Sequence, residues 1–148
     1  MNPSCRVFTS QWGFCSGGIH TDPDGNRVVM TNTIAVSHTT AIANRSGDFY
    51  MTGTLWGSGA WANEDNTLGG VISTTNVYAE PGFVAPSAGD YHLAPGSAAI
   101  DTGVASGAGR DIDGEPRPMG AGYDLGADEF MPLLPYTAYT PVLVAVHP

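Results

Sequence analysis

Apolar and polar positions alternate in short runs along the first half of the chain, with no helical period. Val28-Val29-Met30-Thr31-Asn32-Thr33-Ile34 and Met51-Thr52-Gly53-Thr54-Leu55 are two such runs. Gly17-Gly18, Gly47-Asp48 and Gly57-Ser58-Gly59 punctuate them. The pattern predicts strands of three to five residues joined at tight corners, where glycine supplies positive φ. Met30–Ile34 matches Met51–Leu55 at a spacing of 21, and Arg6-Val7-Phe8 matches Arg27-Val28-Val29 at the same spacing. Ser73-Thr74-Thr75-Asn76-Val77 follows Met51–Leu55 at 22. Repeats of this length predict a solenoid. The leucine-asparagine consensus of leucine-rich repeats is missing, and the β-branched, glycine-rich copies favour a parallel β-helix. Like residues would then stack about 4.8 Å apart, with Val, Ile, Met and Leu forming inward ladders. A β-sandwich shares the alternation and turn spacing and stands as the alternative.

Near Glu80 the period stops. Pro81-Gly82-Phe83-Val84-Ala85-Pro86 reads as a bounded apolar plug, and Asp90-Tyr91-His92-Leu93 as a short strand. Ser97 caps a single helical turn over Ala98-Ala99-Ile100, with Gly103 ending it. Asp111-Ile112-Asp113-Gly114 is a turn and Gly126–Phe130 a closing strand. The open end of a solenoid exposes unpaired backbone and must be covered. The expected organisation is therefore coils over 1–79, a C-terminal cap over 80–130 and an apolar, proline-rich tail over 131–148.

The run EPGFVAPSAGDYHLAPGSAAIDTG, with RDIDGEPRP and GYDLGADEF after it, resembles the C-terminal part of choice-of-anchor Q proteins in the pectate-lyase-like superfamily. VVMTNTIAVSHTTAIANRSG and VYAEPGFV resemble the last coils of the same group. The resemblance implies an all-β fold, a short right-handed parallel β-helix with a C-terminal cap, in an extracellular or cell-surface setting. It implies no reaction, since fold and activity are separable. Members of that group carry a signal peptide and more coils. Met1-Asn2-Pro3-Ser4-Cys5 has neither a charged start nor an apolar run, so the location of this chain stays open between fragment and stand-alone protein.

Charge narrows the partners. Fourteen acids face five arginines and no lysine, for a formal net charge of −9 over 148 residues. A phosphate backbone would be repelled, which excludes nucleic acid. No stretch has the roughly 18 apolar residues of a membrane span. Cys5 and Cys15 fit a disulfide closing a short loop in an oxidising compartment, and equally fit two buried thiols.

Candidate chemistry is sparse. Tyr50, Trp56 and Trp61 lie at or beside one coil, and exposed aromatics there would stack on sugar rings; packing within the coil is the alternative. Asp111 and Asp113 supply part of a calcium-ligand pattern, or else make Asx turns or pair with Arg110 and Arg117. His92 reads as a packing residue of the cap. No two acids of the coil region fall on a common ladder, as a calcium-dependent lyase would require. The leading expectation is a non-enzymatic surface module binding polysaccharide or protein. A remnant or accessory part of a polysaccharide-degrading enzyme, and a structural end-cap that self-associates, are the alternatives.

Overall fold

The computed structural model describes residues 18–21 and 27–132. Strand β1 is Ile19–Thr21, β2 Val28–Ala35, β3 Thr40–Gly57, β4 Asp65–Ala79, β5 Phe83–Ala85 and β6 Asp90–Leu93. Two single 3-10 turns, Gly59–Trp61 and Pro86–Ala88, are the only helical pieces among the described residues. β1, β2, β3 and β4 form one parallel sheet, with β1 and β2 along one edge of β3 and β4 along the other. β5 and β6 form an antiparallel pair. Cys5, Cys15, the Arg6–Phe8 copy and residues 133–148 of the tail lie outside the described residues.

The register follows the repeat. Met30 stands beside Met51 and Ile34 beside Leu55, a spacing of 21. Met51 stands beside Ser73 and Leu55 beside Val77, a spacing of 22. The strands are longer than expected, 18 residues in β3 and 15 in β4, because pairing continues around their bends.

Two of these bends organise the sheet. The first lies between Asn44 and Phe49 of β3, opposite Gly69 to Val71 of β4, where the register shifts. Gly47 and Gly69 both take positive φ, 83° and 87°. Buried Asn44 fastens this corner, accepting from the Thr21 hydroxyl and donating to the carbonyls of Gly47 and Gly70. The second bend is a stack of left-handed residues: Asn32 (φ 52°), Gly53 (φ 69°) and Thr75 (φ 54°). Each lies between paired neighbours on its strand, Thr31 and Thr33, Thr52 and Thr54, Thr74 and Asn76.

A left-handed residue breaks the alternation of side chains along a strand. Before Gly53, Phe49 and Met51 enter the core; after it, Trp56 joins the same core, together with Ile42 and Ala41. Leu55 is thereby turned to the opposite face. Ile34, Leu55 and Val77 form an apolar ladder there and pack against Leu93, Ala99 and Leu125. The expectation that all the aliphatic ladders point inward is corrected on this point.

The same flip places the 80–130 segment. It covers the flank carrying Ile34, Leu55 and Val77, rather than the outer edge of β4 where a cap over the last coil would sit. Asn32 splices it to the sheet: its side-chain amide donates to the Val104 carbonyl and its Oδ1 accepts from the Val104 N–H. The Asn32 carbonyl accepts from Gly126. Ser97 accepts from Ala99 N–H, as a cap does, and donates to the Pro81 carbonyl. The left-handed residue ending that turn is Asp101, not Gly103. Gly126–Phe130 is irregular rather than a strand, and its polar groups are held by side chains. Buried Arg117 donates to Glu129 Oε1 (2.7 Å) and to the carbonyls of Gly126 and Asp124. Glu129 also accepts from the N–H groups of Met119 and Asp124, and Asp124 from those of Asp101 and Phe130.

Gly53 is the most exacting position in this arrangement. A Cβ there would lie 2.6 Å from Asn32 Oδ1, the atom that holds Val104. Gly53→Ala is expected to cost at least about 2 kcal/mol in denaturant unfolding, from left-handed strain plus a disturbed buried hydrogen bond. Gly89 has φ 82° with nothing within 4 Å of its would-be Cβ; Gly89→Ala is expected to cost only about 1 kcal/mol. Equal losses would contradict the Asn32 contact.

Candidate functional site

An insertion contributes to a groove among the described residues. From β2 to β3 the stacking spacing is 21 at Ala35 and Trp56, but it is 25 at Thr40 and Asp65. The extra residues fall in the loop before β4 and form the 3-10 turn Gly59–Trp61. This loop still stacks on its predecessor: Ser37 N–H donates to the Trp61 carbonyl and Glu64 N–H to the His38 carbonyl. Asn63 bridges the two, accepting from His38 N–H and donating to the Ala35 carbonyl. The insertion carries Trp61 out of the strand, against the edge of Phe83 (5.4 Å between centroids, 76°). Phe83 in turn meets Tyr91 at 5.3 Å and 87°.

Trp61, Phe83 and Tyr91 line a groove of about 630 Å³ together with Ile34, His38, His92 and Asp128. Tyr91 lines the groove and is 58% exposed.

His92, one of the lining residues, belongs to an ion cluster. His92 Nδ1 lies 2.6 Å from Asp90 Oδ1 and its Nε2 lies 2.7 Å from Asp113 Oδ2. These bonds, first to Asp90 and then to Asp113, raise the His92 pKa from 6.5 to about 9. At neutral pH it is an imidazolium clamped between two carboxylates, with both ring nitrogens used as donors. The bond to His92 holds the Asp90 carboxyl below its ordinary range. Asp128 is buried and accepts from Leu93 N–H at 2.7 Å.

Two sets of donors come within 4.8 Å of one another: His92, Asp113 and Asp128, and Asp111, Asp113 and Glu115. Asp111 Oδ1 accepts from the N–H groups of Asp113 and Glu115, and its Oδ2 from that of Glu129. Burial alone would raise its carboxyl, but these bonds together outweigh it and hold the carboxyl below the ordinary range. Asp111 thus makes an Asx turn, and Asp113 already carries the charge of His92. A cation held by His92, Asp113 and Asp128 would have to displace the imidazolium from Asp113. Burial, and next the nearby Asp111, Asp113 and Asp128, push the Glu115 carboxyl up.

The three aromatics expected to act together point to three places. Tyr50 is half-buried on the outer face between Val29 and Ile72, with the Arg27 guanidinium 5.2 Å from its ring centroid. Trp56 is 1% exposed in the core, its Nε1 donating to Asn76 Oδ1; its ring faces are unavailable to a ligand, because Gly53 reverses the alternation. Trp61 alone reaches the groove. Phe83, Tyr91, His38 and Asp128 were missed by the sequence reading, and His92 is exposed and ion-paired rather than a packing residue. Asp90 and His92, two apart on one strand face, were a legible signal; Asp113 beside them was not.

Protein-family models, curated proteins and solved structures were compared with the chain, and none matches. Among the described residues no helix is long and apolar enough to cross a membrane.

The His92 clamp sets a pH dependence. A folded pKa raised above the unfolded 6.5 gives stabilisation that is full below pH 6.5 and is lost as pH rises through about 9. The melting temperature of the wild type should exceed that of His92→Gln most at pH 6.5, and the gap should close above pH 9. A gap independent of pH would show that the imidazolium contributes nothing.

Proposed function

We propose that this chain is a non-enzymatic carbohydrate-binding module, built as a short right-handed parallel β-helix and working in an extracellular or cell-surface setting. The coil reading is supported by the stacked left-handed corners at Asn32, Gly53 and Thr75 and by the loops that stack with the strands. The resemblance of the 80–130 motifs supports the same fold and setting.

The observation that carries the binding reading is the chain of aromatic rings Trp61, Phe83 and Tyr91 lining one groove with His92 and Asp128. Sugar rings present apolar C–H faces and a rim of hydroxyls. An exposed aromatic face takes the first, and carboxylate and hydroxyl groups take the second. No arginine lines the groove, and the protein has no lysine. A uronate carboxylate would meet Asp128, with Asp113 close beside it, and the basic side chains lining the groove are His38 and the already paired His92. The chemistry therefore fits neutral glycans and disfavours the polyuronates of a lyase. His92, protonated and bonded on both nitrogens, is unsuited to act as a base at neutral pH.

Titration against soluble β-glucans, xylan, mannan and polygalacturonate tests this. At least one neutral polysaccharide should bind and polygalacturonate should not. Tyr91→Ala should weaken binding about tenfold, the 1.4 kcal/mol scale of one aromatic contact. No binding to any neutral glycan, or binding indifferent to Tyr91→Ala, would overturn the proposal.

A further inference from the structure

β4 has one open side. Along its 15 residues it pairs with β3 alone among the described residues, so its other side has no strand partner there for its backbone N–H and C=O groups. Leu68, Ile72 and Tyr78 are 52%, 56% and 65% exposed. Such an edge is a template for another strand. Charged and proline protections are missing: Asp65–Ala79 contains no lysine, no arginine and no proline, and its single charge is Asp65 at one end. On a chain of net charge −9, this neutral stripe is the place where a like-charged copy can approach.

The geometry points to a second copy of this chain as the occupant. The midpoint of Asp65–Ala79 is Ile72, and the two left-handed corner residues of β4, Gly69 (φ 87°) and Thr75 (φ 54°), lie three positions to either side of it. An antiparallel pairing of β4 with β4 of a second copy, about a two-fold axis at Ile72, sets each corner opposite a corner. The two bent edges then run side by side through their whole length. Each Asp65 falls opposite an Ala79, so the two carboxylates lie at opposite ends, and Ile72 meets its own symmetry mate. We infer that β4 is an isologous dimer interface, in which one contact closes both open edges. It is independent of the groove, whose lining includes no residue of β4.

Light scattering and sedimentation over a wide dilution series test the inference. The wild type should have twice the chain mass and dissociate only on dilution. Ile72→Asp sets two carboxylates against each other at the axis and should be monomeric, with unchanged circular dichroism. Amide exchange on the wild type gives a readout without mutation: protection across 66–79 should fall severalfold on dilution while β3 stays protected. A monomer at every concentration, a dimer that survives Ile72→Asp, exchange in β4 insensitive to dilution, or open-ended growth into filaments would each overturn it.

Discussion

The structure turns on a backbone conformation repeated three times. Asn32, Gly53 and Thr75 are left-handed, one above another, and each reverses the facing of the residues that follow. One strand thereby serves two cores, with Phe49, Met51 and Trp56 on one side and Leu55 on the other. A single residue in this conformation costs about 1–2 kcal/mol unless it is glycine. Only Gly53 escapes the cost, and it is also the position where Asn32 leaves no room for a Cβ. Asn32 offsets its own cost by bonding twice to Val104; Thr75 sits on the exposed strand.

The second core explains why a segment with almost no regular structure is held. Ile34, Leu55 and Val77 would be a greasy stripe in water without Leu93, Ala99 and Leu125 over it. A segment without sheet partners needs other acceptors and donors for its backbone. Arg117, Glu129 and Asp124 supply them from the interior. Removing one partner would leave a buried charge unpaired, a loss of about 3–5 kcal/mol in comparable sites. That acidic, glycine-rich stretch reads in sequence as turn chemistry; in space its acids divide into interior brackets and the surface clamp on His92.

How much was legible follows from locality. The match of Met30–Ile34 to Met51–Leu55 is the observed register, because equivalent positions there lie between bends of equal length. The match to Ser73–Val77 survives one residue of slack. The repeat fades elsewhere because the spacing becomes 23 between Ile19 and Ile42 and 25 between Thr40 and Asp65, as corners and loops gain or lose residues. Facing was misread after Gly53, since a two-residue period assumes extended backbone. The groove was hardly legible: Trp61 depends on a loop insertion, and Asp113 and Asp128 reach His92 only through the path of the irregular segment. Asp111 and Asp113 were legible as turn residues, but not the imidazolium beside them.

The functional reading follows from the same geometry, because the groove lies where the stacked loops, the β5–β6 pair and the irregular segment meet. If the left-handed stack fails, so does the flank that holds Phe83, Tyr91 and His92 in place. Methyl-labelled protein and nuclear Overhauser contacts test that stack most directly. The account predicts contacts from Leu55 to Ile34, Val77 and Leu125, with Met51 methyls contacting the Ile42 and Val71 side of the sheet instead. Contacts joining Leu55 to Met51 in one core, or Leu55 lacking contact with both Ile34 and Val77, would contradict it.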